Sequence, residues 1–312
     1  MAHIDRRDFL KAGVTAGAGL GIGFLSPQPL APSPQPPVLS IAHYKTSPAD
    51  PDGIAEEARR LTRQAVDVLG GIGRFVSKGN VVWIKPDIGW DRRPEQAATT
   101  NPDVVATLVA MCYQAGAKKV LVSDNPCNPA RLSYPRSGIQ PAAEKAGAEV
   151  PFLDERKFRK MSLNGKVLKE WEVYQDIVEA DRLINVPIAK NHNLCLATLG
   201  MKNLMGIIGG ARNRLHQDLG GTLVDLAAFF KPRLVVLDAI RVLTANGPVG
   251  GNLADVKRKD TLVAGVDQVA VDAVGATLLG YKPDSIGYIV QGNARGLGSI
   301  DFKSLSPKQV EV

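Results

Sequence analysis

The sequence predicts an α/β protein built on a mainly parallel sheet or sheets, with helices on both faces and a binding crevice at the strand carboxyl ends. Three observations predict it. Short β-branched runs alternate with helical patterns along the chain. The runs are apolar at nearly every residue, which suits strands covered on both faces. Polar residues then recur just past the ends of five of them, where open parallel sheets bind ligands. With 312 residues, 45% hydrophobic and 22% charged, the chain has the composition of a globular protein with a sizeable core, which excludes a disordered tail or a fibre. A net charge of +7 favours acidic partners, but aromatics make up only 5% and offer little stacking surface for single-stranded nucleic acid. Lys and Arg are also dispersed rather than gathered in a stripe, so a small anionic ligand fits better than nucleic acid.

Taken in order, the first element is an address. Asp5-Arg6-Arg7-Asp8-Phe9-Leu10-Lys11 precedes an uncharged run from Ala12 to Leu25 that holds five glycines. This pattern resembles a twin-arginine export signal, and the run is too short and too weakly apolar for a confident membrane span. The resemblance implies the twin-arginine export machinery as a partner and a periplasmic or extracytoplasmic location. It also implies export after folding, as for proteins loaded with a cofactor in the cytoplasm. The small-residue site at Ala31 is followed at once by Pro32, so an uncleaved signal would leave a membrane anchor. Six prolines from Pro27 to Pro37 form a stiff tether. The division expected is residues 1–37 as signal and tether and 38–312 as one α/β domain, with room for two subdomains.

In that domain Val81–Ile84, Val120–Val122, Leu183–Val186, Leu234–Leu237 and Leu262–Ala264 read as buried strands. Gly53–Leu69 reads as a helix. Asn101-Pro102-Asp103 supplies a cap, a first-turn proline and an acid for another that ends at Gly116. Further helices are expected over Ile139–Ala146, Thr222–Phe230 and Gln268–Leu279. Lys85-Pro86-Asp87, Asp124-Asn125, Lys190-Asn191-His192, Asp238 and Asp267 follow the predicted strands. For Asp124 or Asp267 alone, capping the next helix or turn is the plainer reading; the recurrence points to a site.

The segment from Lys190 to His216 carries two of the four histidines, two lysines, two arginines and the pair Gly209-Gly210. Buried lysines act as bases, Schiff-base formers or tethers, and neutral imidazoles move protons or ligate metals. His192, Lys202 and His216 are therefore the candidate catalytic residues. Lys85, Lys190, Asn203, Gly209, Gly210, Arg212 and Arg214 are candidates for holding an anionic substrate or phosphorylated cofactor, the arginines through charge-assisted hydrogen bonds and the glycines through close backbone approach. His216 with Asp87, Asp238 and Asp267 is the candidate metal set. The alternative is a core helix packed through Leu194, Leu196, Leu199, Leu204, Met205, Ile207 and Ile208, with its charges reaching water.

Asn246-Gly247-Pro248 with Gly250-Gly251 either closes over a ligand or merely turns the chain. Gly70-Gly71-Ile72-Gly73 lacks the preceding strand of a dinucleotide fingerprint, and no Walker, HExxH or GxSxG sequence occurs. Lys257-Arg258-Lys259 reads as a solvated face. Cys112 reads as core and Cys127 and Cys195 as accessible thiols, too scattered for a zinc site.

Lys190-Asn191-His192, Met201-Lys202-Asn203-Leu204-Met205-Gly206, Asp238-Ala239-Ile240, Gly247-Pro248, Asp267 and Asp272 resemble the motifs of domain-of-unknown-function family 362, over roughly Val81 to Gly298. Some members of that family add a ferredoxin-like cysteine cluster; this chain lacks those cysteines, so no intrinsic iron–sulfur cluster is expected. A more remote similarity is to the lactate racemase (nickel-pincer) family, since His192, Lys202 and His216 follow one another at intervals of ten and fourteen residues. That similarity implies Lys202 as the tether of a nickel-pincer nucleotide, His216 as a nickel ligand, His192 as acid or base, and racemase-like chemistry. The expectation is an exported cofactor- or metal-dependent enzyme for a small anionic substrate. The competing class is a non-catalytic extracytoplasmic protein that binds an anionic ligand.

Overall fold

The computed structural model describes residues 36–48 and 50–312, so the arginine pair and most of the proline tether lie outside the described residues. Chain order runs β1 (Leu39–His43), α1 (Pro51–Val68), β2 (Val81–Pro86), α2 (Pro102–Gln114), β3 (Lys119–Val122), α3 (Ala130–Arg136) and α4 (Ile139–Lys145). It continues through β4 (Phe158–Ser162), β5 (Glu170–Tyr174), α5 (Gln175–Glu179), β6 (Arg182–Val186), β7 (Ile188–His192), β8 (Leu196–Thr198) and α6 (Gly200–Asn203). The remainder is α7 (Leu219–Phe230), β9 (Leu234–Leu243), β10 (Val256–Gly265), α8 (Gln268–Leu278), α9 (Gly287–Ala294) and β11 (Lys308–Glu311).

Local chemistry starts the helices where the sequence indicates. Asp50 caps α1 by accepting from Gly53 N at 2.7 Å, with Pro51 in the first turn. Asn101 caps α2 by accepting from Asp103 N at 2.9 Å, and Gly116 beyond its end adopts φ +87°.

The main sheet has the order β11-β1-β10-β9-β6-β2-β3, with β7 paired to β9 and β8 to β7. Strands β3, β2, β6 and β9 are mutually parallel, as are β7 with β9 and β1 with β11. The β9–β10 and β10–β1 pairs are antiparallel. Side chains alternate across the sheet. Val82, Ile84, Ile184 and Val236 pack beneath α1, α2 and α4 with Leu61, Val104, Leu108 and Ile139. Trp83, Leu183, Val235 and Leu237 face α7, α8 and α9 with Leu223, Val269 and Ile289. The fold is thus α/β with helices on both faces of a mainly parallel sheet.

Three features depart from the sequence reading. An antiparallel hairpin, β4–β5, forms a separate two-stranded sheet. The Lys190–His216 segment is no core helix: it is the β7–β8 hairpin, the single turn α6 and short 3-10 turns, with Leu194 and Leu196 exposed. Its Leu199, Leu204, Met205, Ile207 and Ile208 do enter the core. The basic run at 257–259 is also not wholly solvated, because Arg258 reaches the buried carboxylate of Glu57 at 2.5 Å and pairs with Asp260.

Candidate active site

The parallel strands β2 and β7, and the segment after β3, deliver their carboxyl ends to one cavity of about 630 Å3, within the range of small-ligand sites. Lys85, Lys190, Lys202 and Arg212 line it against only two carboxylates, Asp87 and Asp124. Its rim includes Trp90, Cys127, Leu194 and the loop residues Pro248 and Val249.

Lys85 and Lys190 are each 1% exposed and each is paired. Lys85 Nζ lies 2.9 Å from Asp124 Oδ1 and donates to Asn203 Oδ1 at 2.6 Å. Lys190 Nζ lies 2.8 Å from Asp87 Oδ2 and donates to the Ala98 carbonyl at 2.7 Å. Burial would raise Asp87, but Lys190 and Lys85 outweigh it and hold the carboxyl below its ordinary range. In the Lys85–Asp124 pair burial pushes the amine down and the carboxyl up, against the attraction between the two. Gly206 makes that pair possible, because a Cβ there would collide with the Asp124 carboxylate and the end of Lys85.

Lys202 differs from both. Its Nζ meets the Met205 thioether at 3.1 Å and no oxygen acceptor among the described residues. Burial lowers its pKa, and the Lys190 charge adds to that while Cys195 and Asp87 oppose it. The turn that carries it is fixed from below: Asp272, fully buried, accepts from Gly200 N at 2.6 Å and Met201 N at 2.9 Å. Asn185 donates to the Gly200 carbonyl at 2.8 Å and receives from Asn203 at 2.8 Å.

The two histidines present opposite faces. His192 Nδ1 accepts from Leu194 N at 3.1 Å, so its Nε2 carries the hydrogen. His216 Nδ1 lies 3.0 Å from the Asn213 carbonyl, to which it must donate, which leaves Nε2 as an acceptor. Burial is the main cause that pushes His192 down to about 3, so this imidazole stays neutral. Arg212 donates to the carbonyls of Asn125 at 2.7 Å, Met205 at 3.3 Å and Pro126 at 3.1 Å, and meets no carboxylate among the described residues.

The cavity therefore gathers His192, Lys202, His216, Lys85, Lys190, Asn203, Gly210, Arg212 and Asp87. Four expected members lie elsewhere. Gly209 is pinned to the β4–β5 hairpin, donating to Glu172 O at 2.9 Å and accepting from Trp171 Nε1 at 3.0 Å. Arg214 is exposed, since residues two apart on a 3-10 turn point to different sides. Asp238 sits in mid-strand because β9 runs on to Leu243, and its carboxylate accepts from Asn101 N at 2.8 Å and Ile240 N at 3.0 Å. Burial raises it to about 6 against those bonds. Asp267 caps α8 through Ala270 N at 2.8 Å; it follows β10, an antiparallel strand whose carboxyl end points away from the parallel ends. The metal set His216, Asp87, Asp238 and Asp267 thus does not assemble, and among the described residues no group of three His, Cys, Asp or Glu side chains is placed to hold a metal ion. Asp124, read singly as a cap, proves to be the counter-charge of Lys85. The Gly247-Pro248 loop is a wall: Gly247 N donates to Asn191 Oδ1 at 3.0 Å, and a Cβ there would strike the Asn191 carbonyl.

Fold and cavity define an α/β protein with a cation-rich ligand pocket at the ends of its parallel strands. The chain belongs to the family described as Domain of unknown function (DUF362), whose model matches residues 82–277 and so includes every lining residue of the pocket. A thylakoid-associated protein of Synechocystis sp. is 28% identical over 262 residues, covering 80% of each chain. Among solved structures, the lactate racemase apoprotein from Thermoanaerobacterium thermosaccharolyticum gives a TM-score of 0.47 at 12% identity, covering 76% of this chain and 56% of that one. A Thermotoga maritima protein gives 0.37 at 9% identity, covering 80% and 60%. The chain thus spans little more than half the length of these two solved structures.

Proposed function

We propose that this chain is an exported enzyme that binds a small carboxylate- or phosphate-bearing molecule in the pocket and moves a proton or a bond at Lys202. The observation that carries the reading is the contrast among the three pocket lysines: two are paired with carboxylates, while Lys202 presents its amine to the cavity with only a thioether for company among the described residues. A half-buried amine in that setting sheds its proton more readily than a solvated one and can then act as a base or nucleophile. Arg212 attracts the anion, His192 Nε2–H donates to a substrate oxygen, and His216 Nε2 receives the proton.

The residue set also fits one cofactor that the lactate racemase resemblance implies. A nickel-pincer nucleotide would be held by the Lys202 amine and by His216, and Arg212 would supply a cation for its phosphate. It would supply a metal centre for racemase-type chemistry.

The test is Lys202→Ala in protein purified from its natural host. Turnover of small hydroxy, oxo or phosphorylated acids is expected to fall by at least about 100-fold, with the melting transition retained. Unchanged turnover, or variants of Lys202 and His216 that merely unfold, would overturn the reading. Binding of the same acids without any turnover would instead assign the chain to the ligand-capturing class.

A further inference from the structure

We propose that Lys202 captures carbonyl compounds: the pocket takes a small 2-oxo acid, whose carbonyl carbon condenses with Nζ to form an imine. This rests on the anion-site reading above and names its substrate class. An ammonium carries three donors, and a thioether is a weak acceptor. With Met205 Sδ as its partner at 3.1 Å, the half-buried nitrogen is better accommodated as a free amine, with its lone pair available. Partial burial in the same cavity acts in the same direction, since it disfavours the ammonium.

The surroundings supply what condensation requires. Arg212 attracts the carboxylate of the acid. The Nζ lone pair adds to the carbonyl carbon while the C=O pair moves to oxygen, which His192 Nε2–H steadies by a hydrogen bond. The nitrogen releases one proton to His216 Nε2, which hands it to that oxygen to give the carbinolamine. The hydroxyl then leaves as water with the second nitrogen proton, relayed by the same ring, and the C=N bond forms. Amine and 2-oxo acid give imine and water, with no change of oxidation state and no co-reactant. The protonated imine is an electron sink, so the neighbouring carbon can lose a proton or carbon dioxide.

Glyoxylate followed by sodium borohydride would reduce any imine to a stable secondary amine. In the full chain, intact mass and peptide mapping are expected to show one adduct, on Lys202, an order of magnitude above that on any other lysine. Lys202→Arg should lose it, and excess oxalate should compete with it. No adduct, or labelling spread evenly over surface lysines in wild type, would overturn the proposal, as would a Lys202 already carrying a covalent group after native purification. Oxalate, which has no ketone or aldehyde, separates the two readings by calorimetry. Salt-sensitive oxalate binding without trapping retires the imine and keeps the anion site, whereas absence of both retires the two together.

Discussion

Arg212 shows how a single residue combines structure and charge. Its guanidinium donates to three carbonyls on two segments, Asn125–Pro126 and Met205, so it joins the turn after β3 to the turn after α6 while charging the cavity. A lysine cannot make this planar set of contacts. Arg212→Lys is therefore expected to weaken oxalate binding by about tenfold or more, read by calorimetry, even though charge is kept. Gly206 works by what it lacks. Gly206→Ala would force a methyl group into the Lys85–Asp124 pair, and urea unfolding should show a loss of about 1–3 kcal/mol.

At the scale of an element, the four-residue α6 is too short to be stable by itself. Asp272 on α8 makes it so, taking both amide protons at its start, and the side chain of Lys202 is aimed by that grip. Burial raises the Asp272 carboxyl to about 7 from an ordinary value of 3.8. Between those values the folded protein keeps a proton that the unfolded chain has released, so this group makes stability fall as pH rises through the window. Asp272→Asn should flatten that slope when urea midpoints are compared at pH 5 and pH 8. It should also slow glyoxylate trapping at Lys202, because an amide accepts through one oxygen only. His192 acts in the opposite sense: its folded value of about 3 lies below 6.5, so its contribution is complete above 6.5 and is lost as pH falls toward 3.

For the molecule as a whole, the export proposal predicts that replacing Arg6 and Arg7 together by lysine leaves the protein in the cytoplasm, measured by cell fractionation. The alternating strand and helix runs made the parallel half of the sheet legible, and the polar residues at the ends of β2 and β7 and after β3 marked its open end. What the runs did not carry was direction. Nothing in Leu262–Ala264 distinguishes an antiparallel neighbour from a parallel one, so Asp267 was grouped with residues at the opposite end of the sheet. Strand length misled at Asp238 for a related reason: an acid inside a strand reads as its end unless two backbone amides are waiting for it. Asp124 needed its partner Lys85, 39 positions away, before its role could be seen. A last consequence follows from the pairing of β1 with β11, where Ser40 stands opposite Lys308 and Val312 N bonds to the His43 carbonyl at 2.9 Å. Because the two strands are parallel, Val312 ends beside His43 and not beside Val38, at the far end of β1 and roughly 17 Å away at ~3.3 Å per residue; a splice that closed the described polypeptide into a ring would have to run back along the whole of that strand, so a circularly rearranged protein needs a linker of several residues.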